Sequence, residues 1–198
     1  MSWIKRPSDV LHAAKPEEWA GDAAIRAESP ADGQEVHDLL QACFPGFIEA
    51  NLVERLRVDG DIVLSLTAED KGVVIGYIAF SRLIVEDEDG SFAAVALAPL
   101  AVYPEYQQQG IATRLVRESH ACLAAMDEKL SVVLGEPGYY NRFGYSNRRA
   151  SGFECEYQSP YLMAISFGAA PWEGRLLYAP AFSALGKDDA PLQADDRV

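Results

Sequence analysis

The stretch LAPLAVYPEYQQQGIATRLVRESH, residues 97–120, holds the residues whose types and spacing point most directly to chemistry. Gln107, Gln108, Gln109, Gly110, Ile111 and Ala112 stand where an extended run passes through a short loop into a helical pattern. The first turn of a helix has amide N–H groups without intrahelical partners, and the aligned peptide dipoles put partial positive charge there. Such a turn binds phosphate. Gly110 lets the backbone approach an anion with no side chain in the way, and Ala112 keeps the next turn nearly as bare. Arg114 and Arg117 add positive charge just beyond. Two familiar phosphate loops fail here, because GxxxxGK[ST] is absent and only Gly110 survives of GxGxxG. Pro99 adds a constraint: proline cannot donate to a strand ladder, so it marks an edge, a bulge or a place where two strands part.

A second block, VVLGEPGYYNRFGYSNRR at 132–149, follows another extended run and gathers tyrosines, arginines and a carboxylate. Together the two blocks resemble the GNAT superfamily of acetyl-CoA-dependent N-acetyltransferases. The superfamily motif [Q/R]xxGx[G/A] matches Gln107 to Ala112, and its VxPxxQ lead-in matches Val102 to Gln107 with Pro104 in place. A YxxxGF-like element matches Tyr140 to Tyr145, with Gly144 in register and Tyr145 replacing the common Phe. The fuller wording GEPxYYxRFGY is similar to the YhbS-like subgroup of predicted bacterial members.

The resemblance implies a site. Leu100, Ala101 and Val102 would dock the pantetheine arm on a bulged fourth strand that parts from the fifth. Gln107, Gln108, Gln109, Gly110, Ile111, Ala112 and Thr113 would hold the pyrophosphate, with Arg114, Tyr139, Arg142 and Phe143 as further coenzyme contacts. Tyr140 would protonate the departing thiolate, which a phenol of ordinary pKa about 10 can do because it stays protonated at neutral pH. A lysine-like acceptor of pKa about 10.4 is neutral in only about one molecule in a few thousand at pH 7, so a base or water relay is expected. Glu136 is the candidate base, with Glu28, Glu86 and His37 as alternatives. Tyr139 is open between pocket wall and core aromatic, and Arg142 between a coenzyme phosphate and a nearby carboxylate. Acetyl-CoA would be the co-substrate, no metal is implied, and the acceptor would be a small-molecule or protein amine. A non-catalytic acyl-CoA binding or sensing module on the same fold is the alternative, and a nucleotide-binding protein is a third reading.

The elements that must position these residues are legible from period and punctuation. AAIRAES from Ala23 reads as a strand. Ser29, Pro30 and Asp32 form a helix start with a capping-box acid, and Val36, Leu39, Leu40, Cys43 and Phe44 follow on one face until Pro45-Gly46. A second helix is expected over Ile48 to Val58. Three strands follow in IVLSLTAED, GVVIGYIAFSRLIV and SFAAVALAPLAVY, joined by turns at 69–72 and 86–90. A helix with Ile111, Leu115, Ser119, Cys122 and Met126 on one face leads to the strand LSVVLG at 130–135, and strand-helix-strand order requires parallel pairing of the flanking strands. Further strands are expected in FECEYQ, YLMAISF and RLLYAPAF. The fold class is therefore α/β (α+β): a mixed, mostly antiparallel sheet of about six or seven strands with helices on both faces. Residues 1–22 read as an arm, 23–183 as a single domain, and 184–198 as an acidic tail.

The 198 residues include 17 Lys plus Arg against 30 Asp plus Glu, a formal charge of −13, and 49% are apolar. A core is affordable in such a chain, and disorder as the overall state is excluded. So acidic a surface repels nucleic acid and anionic membranes, neither of which is expected as a partner, and favours cationic amines. The acidic run 86–89 reads as a solvated hairpin tip rather than a cation site. Cys43, Cys122 and Cys155 lack CxxC spacing, and with three histidines no zinc-type cluster assembles, so a reduced, cytoplasmic protein is expected, as monomer or homodimer. Cys43 and Cys122 lie on apolar helix faces, His12 and His120 have no motif around them, and Trp3, Trp19 and Trp172 are expected to pack the terminal pieces.

Overall fold

The computed structural model describes residues 23–88 and 90–184. The expected N-terminal arm, with its short helix near 17–21, Trp3, Trp19 and His12, lies outside the described residues, as do Asp89 and the tail from 185 on.

Eight strands form one mixed sheet: β1 (Ala24–Ala27), β2 (Ile62–Asp70), β3 (Val73–Asp87), β4 (Gly90–Val102), β5 (Leu130–Leu134), β6 (Gly152–Glu154), β7 (Leu162–Ser166) and β8 (Glu173–Tyr178). The order is β1-β2-β3-β4-β5-β7, with β8 paired to β3 and β6 paired to β8. β4 and β5 run parallel, as their helical connection demands, and the other neighbours on that path are antiparallel. The strand count exceeds the expected six or seven, and each strand falls on an extended run read from the sequence, β6 as only 3 residues at the start of FECEYQ.

β3 is long enough, at 15 residues, to serve two partners on one edge. Its first half pairs with β2 and its second half, Leu83 to Glu86, with β8. The β2–β3 hairpin turns on Lys71 and Gly72, both at positive φ (51° and 85°), the twist that a two-residue turn between right-twisted strands requires. At the other end of β3, Gly90 N–H donates to the Asp87 carboxylate at 3.0 Å, so the acidic run makes the β3–β4 hairpin. Among the described residues no group of three His, Cys, Asp or Glu gathers as a metal site, and no described helix is long and apolar enough to cross a membrane.

Helix α1 (Gly33–Cys43) follows a short 3-10 turn, Pro30–Asp32. The Asp32 carboxylate accepts from Ser29 N–H at 2.7 Å, as the capping box predicts, and also from both terminal nitrogens of Arg26 at 2.6 and 2.8 Å. The Arg26 hydrogen bonds hold its pKa down at about 2. Val36, Leu39 and Leu40 bury against Tyr77, Ala79 and Ala101, each leucine contributing about 1.5–3 kcal/mol by leaving water. Helix α2 (Ile48–Asp59) packs beside α1 and ends on the left-handed Gly60.

Helix α3 (Ile111–Ala125) covers the opposite face, with Ile111, Leu115, Val116 and Leu123 set among Leu66, Ile78, Phe80, Val95 and Leu100. Gly76 of β3 admits it: a Cβ there would lie 3.1 Å from Ile111 Cγ2 and 3.2 Å from Leu115 Cδ1. The first turn of α3 is thereby pressed onto the sheet where β3 meets the end of β4. Trp172 departs from expectation. It is 65% exposed, and its ring carries the Arg149 guanidinium at 4.4 Å instead of packing a terminal piece.

Candidate active site

The pairing of β4 with β5 runs from Val95↔Ser131 to Leu97↔Val133 and stops. On its other edge β4 stays on β3, but the register slips between Ile78↔Leu100 and Phe80↔Leu97, so Ala98 and Pro99 stand opposite Ala79 alone. That is a bulge at the proline, and beyond it β4 and β5 diverge. Tyr103 N–H donates to the Ile75 carbonyl at 3.1 Å, which fixes the alternation of the ladder. Ala101 therefore exchanges its main-chain bonds with Tyr77, while the N–H and C=O of Leu100 and Val102 point into the gap left by β5. The Val102 carbonyl accepts from Gln107 Nε2 at 3.0 Å and from the Cys43 thiol at 3.3 Å. The gap thus offers the Val102 N–H and both polar groups of Leu100.

Above the gap the chain makes one 3-10 turn, Pro104–Tyr106, and enters α3 through Gln108 and Gly110, both left-handed at φ 58° and 81°. These two reversals bring successive amides of the loop and the first turn of α3 to one side. Gln109 is held by its side-chain amide, which donates to the Glu105 carbonyl at 3.1 Å. A cleft of about 250 Å³ lies here, its walls including Val102, Gln107, Gly110, Thr113, Tyr139 and Arg142. Ile111 and Ala112 meet it through their backbone, since both side chains turn into the core. Tyr106 also lines it, a position the motif lead-in spans but that carried no chemical signal of its own.

Arg114 turns away from the cleft mouth toward β1, where its Nη1 donates to the Ala23 carbonyl at 2.9 Å. Arg142 takes a different course. Its Nε donates to the Tyr139 carbonyl at 2.9 Å, its guanidinium lies 4.7 Å from the Tyr139 ring centre, and among the described residues it pairs with no carboxylate. Tyr139 fits both roles left open for it, lining the cleft with one side and packing in the core cluster with the rest. Its hydroxyl is buried beside Thr113 without a hydrogen bond of normal geometry, and burial pushes the phenol up to about 12. Phe143 is half-buried and packs edge-on against Tyr139 at 5.4 Å.

Tyr140 sits behind Tyr139, 4% exposed, with its ring edge-on to Tyr139 at 5.0 Å and to Tyr145 at 5.8 Å. Burial drives its phenol well above the ordinary range, so it stays protonated. The Tyr145 hydroxyl, which the usual Phe lacks, meets Ser131 Oγ of β5 at 2.8 Å and His120 Nε2 of α3 at 3.4 Å. His120, wedged edge-on against Phe167 and Phe143, is desolvated to a pKa of about 4 and is neutral near pH 7. This polar thread behind Tyr140 escaped sequence reasoning, because its members lie on a helix, a strand and a loop.

Glu136 caps the short helix Pro137–Tyr140, accepting from Gly138 N–H at 3.4 Å. Of the alternative bases, Glu28 is held by Arg57 and by the Tyr77 hydroxyl at 3.1 Å, and His37 Nδ1 faces Glu54 at 2.8 Å. Glu86 is exposed at the far end of β3. Burial raises the thiols of Cys43 and Cys122 to about 11, which removes them as nucleophiles near neutral pH.

This geometry has counterparts among known proteins. The acetyltransferase (GNAT) domain family matches residues 24–148. The chain is 40% identical over 134 residues to the uncharacterized N-acetyltransferase YhbS of Escherichia coli, covering 67% of this chain and 79% of that protein. The crystal structure of E. coli YhbS in complex with CoA superposes with a TM-score of 0.78 at 32% identity, over 87% of this chain and 98% of that one. A GNAT family acetyltransferase from Brucella melitensis in complex with acetyl-CoA gives a TM-score of 0.69 at 31% identity, over 81% and 97% of the two chains. A domain match over more than half of the residues, a parted β4 and β5, and a bare helix start at the gap lead to one conclusion: the chain belongs to the GNAT family of acetyltransferases.

Proposed function

We propose that the protein is an N-acetyltransferase that moves the acetyl group of acetyl-CoA to an amine by direct attack of the amine nitrogen on the thioester carbon. The observation that carries this reading is the gap after Leu97↔Val133, where Leu100 and Val102 present unspent main-chain groups beneath the loop that opens α3. An extended pantetheine arm would add there as a strand adds to a sheet edge, bonded to Leu100 and to the Val102 N–H, with Ala101 contributing only its side chain to the core. The amides of Gln108 to Thr113 would cradle the pyrophosphate, and Arg142, already stacked on Tyr139, would meet a coenzyme phosphate. That the relatives were solved with CoA or acetyl-CoA supports the assignment.

As the amine attacks, the N–C bond forms, the C–S bond breaks, and the proton lost from nitrogen is the one that sulfur gains. Tyr140 takes the sulfur-side role by its match to the family's YxxxGF-like element, and it stands directly behind Tyr139, which lines the cleft. Because burial raises the Tyr140 phenol above the ordinary range, full transfer of its proton to a thiolate, whose thiol pKa is about 8.5, runs uphill. Its role is then to donate a hydrogen bond to the developing anion, while Glu136, at the end of β5, or a water beside it relays the proton from the amine.

Release of free thiol from acetyl-CoA, followed over a panel of amines with wild type and Tyr140→Phe, tests the reading. Amine-dependent release that the variant loses supports it. Calorimetric binding of CoA with no turnover of any amine would replace it with an acyl-CoA sensing module.

A further inference from the structure

Three glutamines in succession, Gln107, Gln108 and Gln109, precede the glycine that opens α3, and they are not used alike. Gln107 has an extended backbone (φ −66°, ψ 165°), and its carboxamide donates to the Val102 carbonyl at 3.0 Å. The Gln109 carboxamide donates to the Glu105 carbonyl at 3.1 Å. Gln108 differs in both respects. Its backbone is left-handed at φ 58°, and among the described residues its carboxamide has no hydrogen-bond partner.

A left-handed backbone crowds Cβ against the following carbonyl oxygen, so glutamine holds this conformation at a cost that glycine escapes. The same loop does place a glycine in the left-handed region two positions on, at Gly110. The other left-handed non-glycine residues among those described are Lys71, in the β2–β3 hairpin, and Asp127, just past the end of α3, and neither lines the cleft. Gln108 does line it, with Gly110, Thr113 and Arg142. A strained residue that keeps a long polar side chain, unengaged, at a binding cleft points to a use for that side chain.

The wall selects the chemistry of the contact. Its charged side chain is the Arg142 guanidinium, and among the described residues no carboxylate lines the cleft. Beside such a wall a carboxamide turns its N–H groups toward an anion. Resting on the acetyltransferase reading above, we infer that the Gln108 side chain donates from Nε2 to a phosphate of the coenzyme, and that the fold is less stable for holding it there. A main-chain amide at this position is common to every residue, glycine included, whereas this contact belongs to the glutamine side chain.

Calorimetry with CoA and with dephospho-CoA, which lacks the 3′-phosphate, tests this on wild type, Gln108→Ala, Gln108→Gly and Gln108→Glu, beside thermal unfolding of each free protein. Gln108→Ala and Gln108→Gly should weaken CoA binding alike, about tenfold, as loss of one charge-assisted hydrogen bond does. Gln108→Glu, equal in shape but repelled by phosphate, should weaken it further. Free Gln108→Gly should melt about 2–4 °C above free Gln108→Ala, because glycine relieves the strain that alanine retains. Losses seen with CoA and absent with dephospho-CoA place the contact on the 3′-phosphate, and equal losses with both place it on the pyrophosphate. Wild-type affinity for CoA in Gln108→Ala and Gln108→Glu overturns the contact and keeps the coenzyme reading, as does a weakening confined to Gln108→Gly, which is then loop flexibility. A Gln108→Gly protein that melts no higher than Gln108→Ala overturns the strain. Wild type that binds neither ligand overturns the coenzyme reading itself.

Discussion

The ring of Tyr140 fills the space where a side chain on Gly135 would begin: a Cβ at Gly135 would lie 2.7 Å from Tyr140 Cδ2. A glycine at the end of β5 is therefore what seats the proposed sulfur-side donor. Gly135→Ala should push the ring from its place, costing about 1–3 kcal/mol of stability and lowering kcat while leaving KM for acetyl-CoA little changed. Thermal unfolding and steady-state kinetics check this, and an unchanged Tm together with an unchanged kcat would show that the ring yields freely.

Adjacent tyrosines are expected to behave differently. On the proposed mechanism Tyr140→Phe removes the sulfur-side donor and should lower kcat about 10²–10³-fold with small effect on coenzyme binding. Tyr139→Ala removes the ring on which the Arg142 guanidinium lies and should act on KM for acetyl-CoA instead. Kinetics of both variants against acetyl-CoA separate the roles, and the opposite pattern would exchange them.

Gly110 starts α3 in the left-handed region at φ 81°. Gly110→Ala should cost about 1–2 kcal/mol from backbone strain and set a methyl group at the proposed phosphate cradle. Calorimetry with CoA should show weakened binding beyond what the loss of stability explains. Equal affinity for CoA in variant and wild type would move the pyrophosphate elsewhere.

His120 predicts an acid sensitivity. Its folded pKa, about 4, lies below the ordinary 6.5, so between those values the unfolded chain binds a proton that the native state refuses. Stability should therefore fall as pH drops from 6.5 to 4, by up to about 3 kcal/mol from this group, and level off below. Asp32, held at about 2 by Arg26, adds a separate loss that begins below its ordinary 3.8. Tm measured against pH for wild type and His120→Phe should show the first fall only in wild type. Equal slopes for the two proteins would assign the effect to another group.

The sequence by itself determined the local elements and the site's backbone. β2 covers Ile62–Asp70, the run read as a strand from its period, and α3 begins at Ile111, directly after the glycine that marks the loop. Helix periods, capping chemistry and turn glycines are written in consecutive residues, so they survive without knowledge of the rest of the chain. The proposed phosphate loop is legible for the same reason, since its amides come from neighbouring positions. Only the tertiary structure decided where the long side chains go and which main-chain groups stay open. Arg114 reaches Ala23, 91 residues away, and Tyr145 finds Ser131 and His120 on two other elements. Ala101 is closed to the gap, and Leu100 open to it, by a register with β3 that the bulge at Pro99 sets. β3 is long enough to carry β8 past the end of β2, a consequence of strand pairing across the whole sheet that no single segment encodes.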